Sequence, residues 1–184
     1  MRLFVALSIS AAVREALSGL LAELRRADPE TRWVNPANLH VTLKFIGNVV
    51  TEKLLSIEQA LTGVRVFRPF DIEFRGLGFF PNDRRPAVIW AGILAPPELA
   101  ALATGIDEVI STCGIPRETR PFAPHLTLAR FKEPRLSQAL RTQAAHFKDR
   151  FFVKQSFGEF QLMESKLKNT GAEYTTLRSF PFMA

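Results

Sequence analysis

The sequence predicts an α+β fold built as an internal duplication, with mainly antiparallel sheets and helices outside them. Two of the three histidines open nearly the same phrase, His40-Val-Thr42-Leu-Lys-Phe and His125-Leu-Thr127-Leu-Ala-Arg. Threonine two places after two of three histidines arises by chance only about 1 % of the time. The flanks repeat as well. A shift of 85 residues carries Leu3–Leu7 onto Val88–Gly92, Ala11–Arg25 onto Pro96–Ile110, and Pro36 onto Pro121. Periodicity also changes in the same order in each half, which reads as one β-α-β-α-β unit used twice. Two copies of so long a period make a pseudo-dimer rather than a solenoid.

Leu3–Leu7 is read as the first strand. With Met1-Arg2 before it and Ser10-Ala11-Ala12 behind, this stretch superficially resembles a signal peptide, but the repeat aligns it with an internal strand around Ile89-Trp90. A helix follows, with Ser8 or Ser10 near its cap and apolar residues at Val13, Leu17, Leu20, Leu21 and Leu24; Asp28-Pro29 ends it. Trp33–Pro36 is an approach loop, because Pro36 forces Asn35 out of helical conformation and aims the first histidine strand. A helix over Glu52–Leu61 and a long strand over Phe70–Phe80 complete the first copy. Pro81–Pro86 then turns the chain into Ala87–Leu94, a hairpin. In the second copy the helix over Pro96–Ile110 precedes the second histidine strand. The helix Ser137–Ala145 and a strand Phe151–Met163 follow, the latter at a slightly different offset. Ser165–Gly171 joins that strand to Glu173–Phe182 in a closing hairpin.

The chain has 184 residues and is 47 % hydrophobic, enough for a substantial core. Its net charge of +6 favours a polyanionic partner without identifying one. It has no run of five or more like charges, no Gly/Ser linker, and no apolar stretch near the ~20 residues of a membrane span. The single Cys113, beside Gly114 at a helix end, excludes an internal disulfide and reads as a small, partly buried apolar residue. A reducing, cytoplasmic setting without membrane attachment is the expectation, and the chain is taken to act as a monomer.

In a strand, residues i and i+2 share a face. His40 and Thr42 therefore point one way with Val41 and Leu43 buried behind them, and His125 and Thr127 repeat the arrangement against Leu126 and Leu128. One His-x-Thr on a strand is more often a half-buried, hydrogen-bonded pair than a site; the duplication is what changes the reading. Two imidazoles and two hydroxyls facing each other suit one small anion. Two histidines on separate strands fall short of the three or four protein ligands zinc takes. No Gly-rich phosphate loop with Lys-Ser/Thr is present, which argues against ATP-driven ligation. Arg130 is a further substrate-binding candidate, although strict alternation turns it away from His125, so it needs a bulge or its long reach. Lys44 shares the His40 face by the same alternation, adding positive field or sitting at a rim. Phe4 and Phe122 are candidates for stacking on a base, weighed against core packing. His146 lacks the threonine and reads as a helix histidine without a catalytic part.

Arg2-Leu-Phe4-Val-Ala-Leu, Asn38-Leu39-His40-Val-Thr42-Leu-Lys-Phe-Ile-Gly47, Arg120-Pro-Phe-Ala-Pro-His125-Leu-Thr127-Leu-Ala-Arg130, and Leu162–Leu167 with Gly171-x-x-Tyr174 together resemble the two-histidine phosphoesterases. Within them, the chain resembles the bacterial and archaeal RNA 2′,3′-cyclic phosphodiesterases, first described as 2′-5′ RNA ligases. The likeness runs end to end. It implies one bilobal domain over residues 1–184, with two sheets lining a pseudo-twofold cleft and one histidine block per lobe. It also implies no cofactor, and a substrate that is RNA or an oligonucleotide ending in a 2′,3′-cyclic phosphate, a strained and reactive ester for which no metal need be invoked. His40 is then the proton donor to the departing 3′-oxygen and His125 the base that activates water, leaving a 2′-phosphate. Three other readings stay open: 2′-5′ ligation of RNA halves, hydrolysis of a small cyclic nucleotide or ADP-ribose cyclic phosphate, and a non-catalytic nucleotide-binding module.

Overall fold

The computed structural model describes residues 1–66, 68–169 and 171–183. In chain order these form β1 (Arg2–Ser8), α1 (Ala11–Ala27), β2 (Arg32–Trp33), β3 (His40–Asn48), α2 (Leu54–Thr62), β4 (Phe70–Phe80), β5 (Val88–Leu94), α3 (Pro97–Ser111), β6 (His125–Arg130), α4 (Gln138–Ala145), β7 (Phe151–Phe157), β8 (Glu159–Lys168) and β9 (Gly171–Pro181). The predicted helices and hairpins are present. Ser10 caps α1 by accepting from the Val13 N–H, and Ser137 does the same for α4 through Leu140.

The strands lie in the order β7-β4-β5-β6-β3-β1-β8-β9, with β2 attached to β6, and every pairing is antiparallel. The two expected sheets are the halves of this order. They meet edge to edge at β3 and β6, which share one pair, Val41 with Leu126. Reading outward from that seam, β3 matches β6, β1 matches β5, and β4 occupies the place that β8 has on the other side. The third strand of each copy has thus crossed over: β4 pairs with β5 of the second copy, and β8 with β1 of the first.

Two details depart from the sequence reading. Phe151–Met163 is not one strand: it breaks at Gly158 into β7 and β8, which lie far apart in the strand order. Phe157 and Phe160 are both buried although three residues apart, and a continuous period-2 strand places such residues on opposite faces. The break reconciles them. Because one residue links strands so distant in the order, the sheet has to curl. Gln155 on β7 accordingly reaches β1, accepting from Ser10 N–H at 2.8 Å and donating to the Ser8 carbonyl at 3.2 Å. The second departure is that Arg32–Trp33 is a short strand rather than part of a loop, pairing with Arg130 and Ala129.

One face of the sheet carries the core. Leu3, Val5, Leu7, Val41, Leu43, Leu126 and Leu128 pack there with Leu17, Leu21 and Leu24 of α1 and Leu99, Leu102 and Ile106 of α3. The other face holds a small separate apolar cluster of Phe4, Ala6 and Met163 with Tyr174 against it. No described helix is long and apolar enough to cross a membrane.

Candidate active site

His40 and His125 each begin a strand beside the seam. Each ring is held alike. His40 Nδ1 lies 2.7 Å from the Asn38 carbonyl, and His125 Nδ1 lies 2.8 Å from the Ala123 carbonyl. A carbonyl only accepts, so both Nδ1 atoms carry the proton and both Nε2 atoms are left for the open face. On the first side the approach is stiffened by a single turn over Pro36–Asn38, whose cap residue Asn35 accepts from the Ala37 N–H. Asn38 also donates from its side chain to the Ala172 carbonyl at 2.6 Å, tying this turn to β9. Thr42 and Thr127 are half-buried on the same face as their histidines, while Val41, Leu43, Leu126 and Leu128 are buried behind. Ala6 faces Thr42 across the ladder, and Trp90 faces Thr127. Those pairs place β5 one residue away from the 85-residue register, so that Trp90 takes the place of Ala6.

A bulge in each histidine strand decides the next residues. The β1–β3 register slips between Val5 and Ala6, and the β5–β6 register slips between Ile89 and Trp90. The extra residue is Leu43 in one strand and Leu128 in the other, and beyond it the alternation is reversed. Lys44 therefore does not share the His40 face. It is buried on the opposite side, its Nζ 2.5 Å from Asp107 Oδ1 and 2.8 Å from the Pro116 carbonyl. Arg130 is reversed in the other sense and turns toward His125. Its charge and that of His125 both act on His40. Phe45, the counterpart of Arg130, turns the same way and is 59 % exposed, its ring 6.4 Å from that of Phe4.

Aromatic rings wall both imidazoles, from different positions on the two sides. Phe4 and Tyr174 flank His40 with centroids at 4.9 and 5.1 Å, Tyr174 edge-on at 88°. Phe80 and Trp90 flank His125 at 4.9 and 6.5 Å. Trp90 lies over Gly78, where a Cβ would overlap its six-membered ring, so only glycine leaves the indole room. Burial pushes the His40 pKa down; the Asn38 carbonyl opposes this, and the positive charges of Arg130 and His125 reinforce it, leaving the value below 6.5.

Of the remaining sequence candidates, Phe4 is in this wall, Phe122 packs against the main core, and His146 is an exposed cap residue at the end of α4. Phe80 and Trp90 carried no motif, and Tyr174 stood in the closing hairpin without an assigned part. The signal for Trp90 was the large residue opposite Thr127, legible only with the one-residue offset of β5. No group of three or more His, Cys, Asp or Glu side chains among the described residues is placed to hold a metal ion.

A family model described as LigT like Phosphoesterase matches residues 7–90 and 94–174, one histidine block in each span. A protein of Archaeoglobus fulgidus named RNA 2′,3′-cyclic phosphodiesterase is 36 % identical over 187 residues, covering 98 % of this chain and 99 % of its own. A Thermus thermophilus protein of the same name is 35 % identical over 192 residues, covering 98 % and 89 %. Among solved structures, TT0787 of Thermus thermophilus superimposes with a TM-score of 0.81 at 32 % identity, over 99 % of this chain and 98 % of that one. E. coli LigT complexed with 3′-AMP gives 0.81 at 27 % identity, over 100 % and 98 %. With both histidine strands inside matched spans and the whole curled sheet shared, the chain belongs to the LigT-like phosphoesterase family.

Proposed function

We propose that residues 1–184 act as one bilobal domain that hydrolyses RNA 2′,3′-cyclic phosphate ends to 2′-phosphomonoesters without a metal. One observation carries the reading: two imidazoles on pseudo-equivalent strands, each with Nδ1 tied to a backbone carbonyl and a threonine two residues on. In-line displacement at phosphorus needs a base on the attacking side and an acid on the leaving side, and the pair supplies both. Thr42 and Thr127 donate to the non-bridging oxygens, and the Arg130 guanidinium balances their charge. Water loses its proton to one Nε2 and its oxygen bonds to phosphorus. The bond to the 3′-oxygen breaks, and the other Nε2 delivers a proton there. The ring strain of the cyclic phosphate makes this a reactive ester, so two imidazoles suffice. The names of the relatives support the substrate class.

Family resemblance makes His40 the acid and His125 the base. Burial holds the His40 pKa below 6.5, which opposes an acid role, and the negative charge of a bound phosphate acts against that shift. An oligonucleotide ending in a 2′,3′-cyclic phosphate tests the reaction. A 2′-phosphate end supports it, whereas a 3′-phosphate end reverses the leaving group. Joined RNA halves identify ligation, and tight binding without turnover identifies a binding module. On an aryl phosphodiester, whose leaving group needs no proton, His40→Ala should recover activity and His125→Ala should not; the opposite pattern exchanges the two roles.

A further inference from the structure

We propose that Arg32, Arg84 and Arg85 extend the site beyond Arg130 into a subsite for the RNA backbone next to the cyclic end. This rests on the reading above. β3 leaves β6 after one pair, and β2 takes its place against the far end of β6. Trp33 stands opposite Ala129 and is held by its indole N–H on the Asp28 carbonyl at 2.8 Å, packed against the core. Arg32 therefore stands opposite Arg130 on the other face, where the histidines are. Directly opposed residues of an antiparallel pair have Cβ atoms about 5 Å apart, and like charges there repel. Neither guanidinium has an acidic partner among the described residues. An anion between them removes the repulsion.

Across β6 the same end is bordered by the β4–β5 turn. Phe131 donates its N–H to the Ala87 carbonyl at 3.0 Å, and Asn82 Oδ1 accepts from the backbone N–H of both Arg84 and Arg85 at 3.0 Å. Asp83, the acid of this turn, is already engaged by Arg141, through its carboxylate at 2.9 Å and its carbonyl at 3.0 Å. The exposed Arg84 and Arg85 side chains are left without an acidic partner among the described residues. Arg32 and Arg130 thus stand opposed at one end of the cleft, the turn that carries Arg84 and Arg85 borders that end, and the reacting phosphate occupies Arg130. The 3′-terminal nucleoside of an RNA carries its next phosphate on its 5′-oxygen, which supplies the second anion. A mononucleotide has none.

The test compares a mononucleoside 2′,3′-cyclic phosphate with an RNA oligomer of the same end, using the full chain. Arg32→Ala and Arg84→Ala/Arg85→Ala should each lower kcat/KM on the oligomer roughly tenfold, through KM, and flatten its salt dependence by about 0.7 for each phosphate no longer neutralised. The mononucleotide rate should change less than about twofold, Arg32→Lys should keep most of the oligomer rate, and Lys148→Ala should affect neither substrate. Equal losses on both substrates, or none, overturn the subsite. Anisotropy with a labelled, 3′-phosphorylated oligomer reads the subsite without turnover. If the wild type turns over neither substrate, the proposed activity fails, and the subsite still stands or falls on whether these variants weaken that binding.

Discussion

At the scale of single residues, strand parity made the two histidines and two threonines legible, because i and i+2 share a face whatever the rest of the fold does. Replacing either His40 or His125 with Ala should cost about 10²–10⁴-fold in kcat, with a bell-shaped pH profile in the wild type, while His146→Ala changes nothing. Rate measurements across pH check this, and near-full activity in either variant refutes the pair. Thr42→Ala and Thr127→Ala should lose less, roughly 10–10³-fold, and Thr→Ser should be milder because the hydroxyl survives. If Ser is as damaging as Ala in steady-state assays, the methyl group matters more than the hydrogen bond. His40 also links to stability. Its folded pKa is lowered by burial, so its neutral form is favoured in the folded state; that contribution is complete above 6.5 and is lost as pH falls through the lower folded value.

At the scale of elements, parity failed where a bulge reset it. Nothing in Leu43-Lys44-Phe45 or Leu128-Ala129-Arg130 marks the extra residue, which arises from the pairing with β1 and β5. The same gap in local information hid the break at Gly158, although the odd spacing of Phe157 and Phe160 recorded it. Lys44, displaced to the core side, became part of a clamp between β3 and the segment after α3. Asp107 accepts from Lys44, from the Glu118 N–H at 3.0 Å and from Arg117 at 3.1 Å. Burial raises the Asp107 pKa, but these three hydrogen bonds outweigh it and hold the carboxyl below 3.8. The stabilisation is therefore present above 3.8 and lost as pH falls through the lower folded value. Lys44→Met should cost about 2 kcal/mol by removing one of the three donors to that carboxylate, and adding Asp107→Leu should recover part of the loss. Urea titrations at pH 7 test it: a double variant no better than the single one rules out the lost charge pairing as the cause.

At the scale of the whole molecule, duplication was legible from the 85-residue shift, but the crossing of β4 and β8 between the copies was not. Pairing partners of a strand are chosen by long-range packing, and an alternating apolar run fits either neighbour. The crossing has a functional side. Phe80 reaches His125 from a strand of the first copy, and Tyr174 reaches His40 from the closing hairpin. Each imidazole is thereby walled by one ring from its own half of the sequence and one from the opposite half. The cleft so formed offers imidazoles, hydroxyls and guanidiniums but no carboxylate set for a metal among the described residues, and under the proposed mechanism these groups carry the reaction alone. Turnover of a 2′,3′-cyclic-phosphate-terminated oligonucleotide in excess EDTA, with metal content measured on the same sample, tests this most directly. An unchanged rate and no stoichiometric zinc, manganese or magnesium are expected; loss of activity that one specific metal restores would overturn the metal-free reaction.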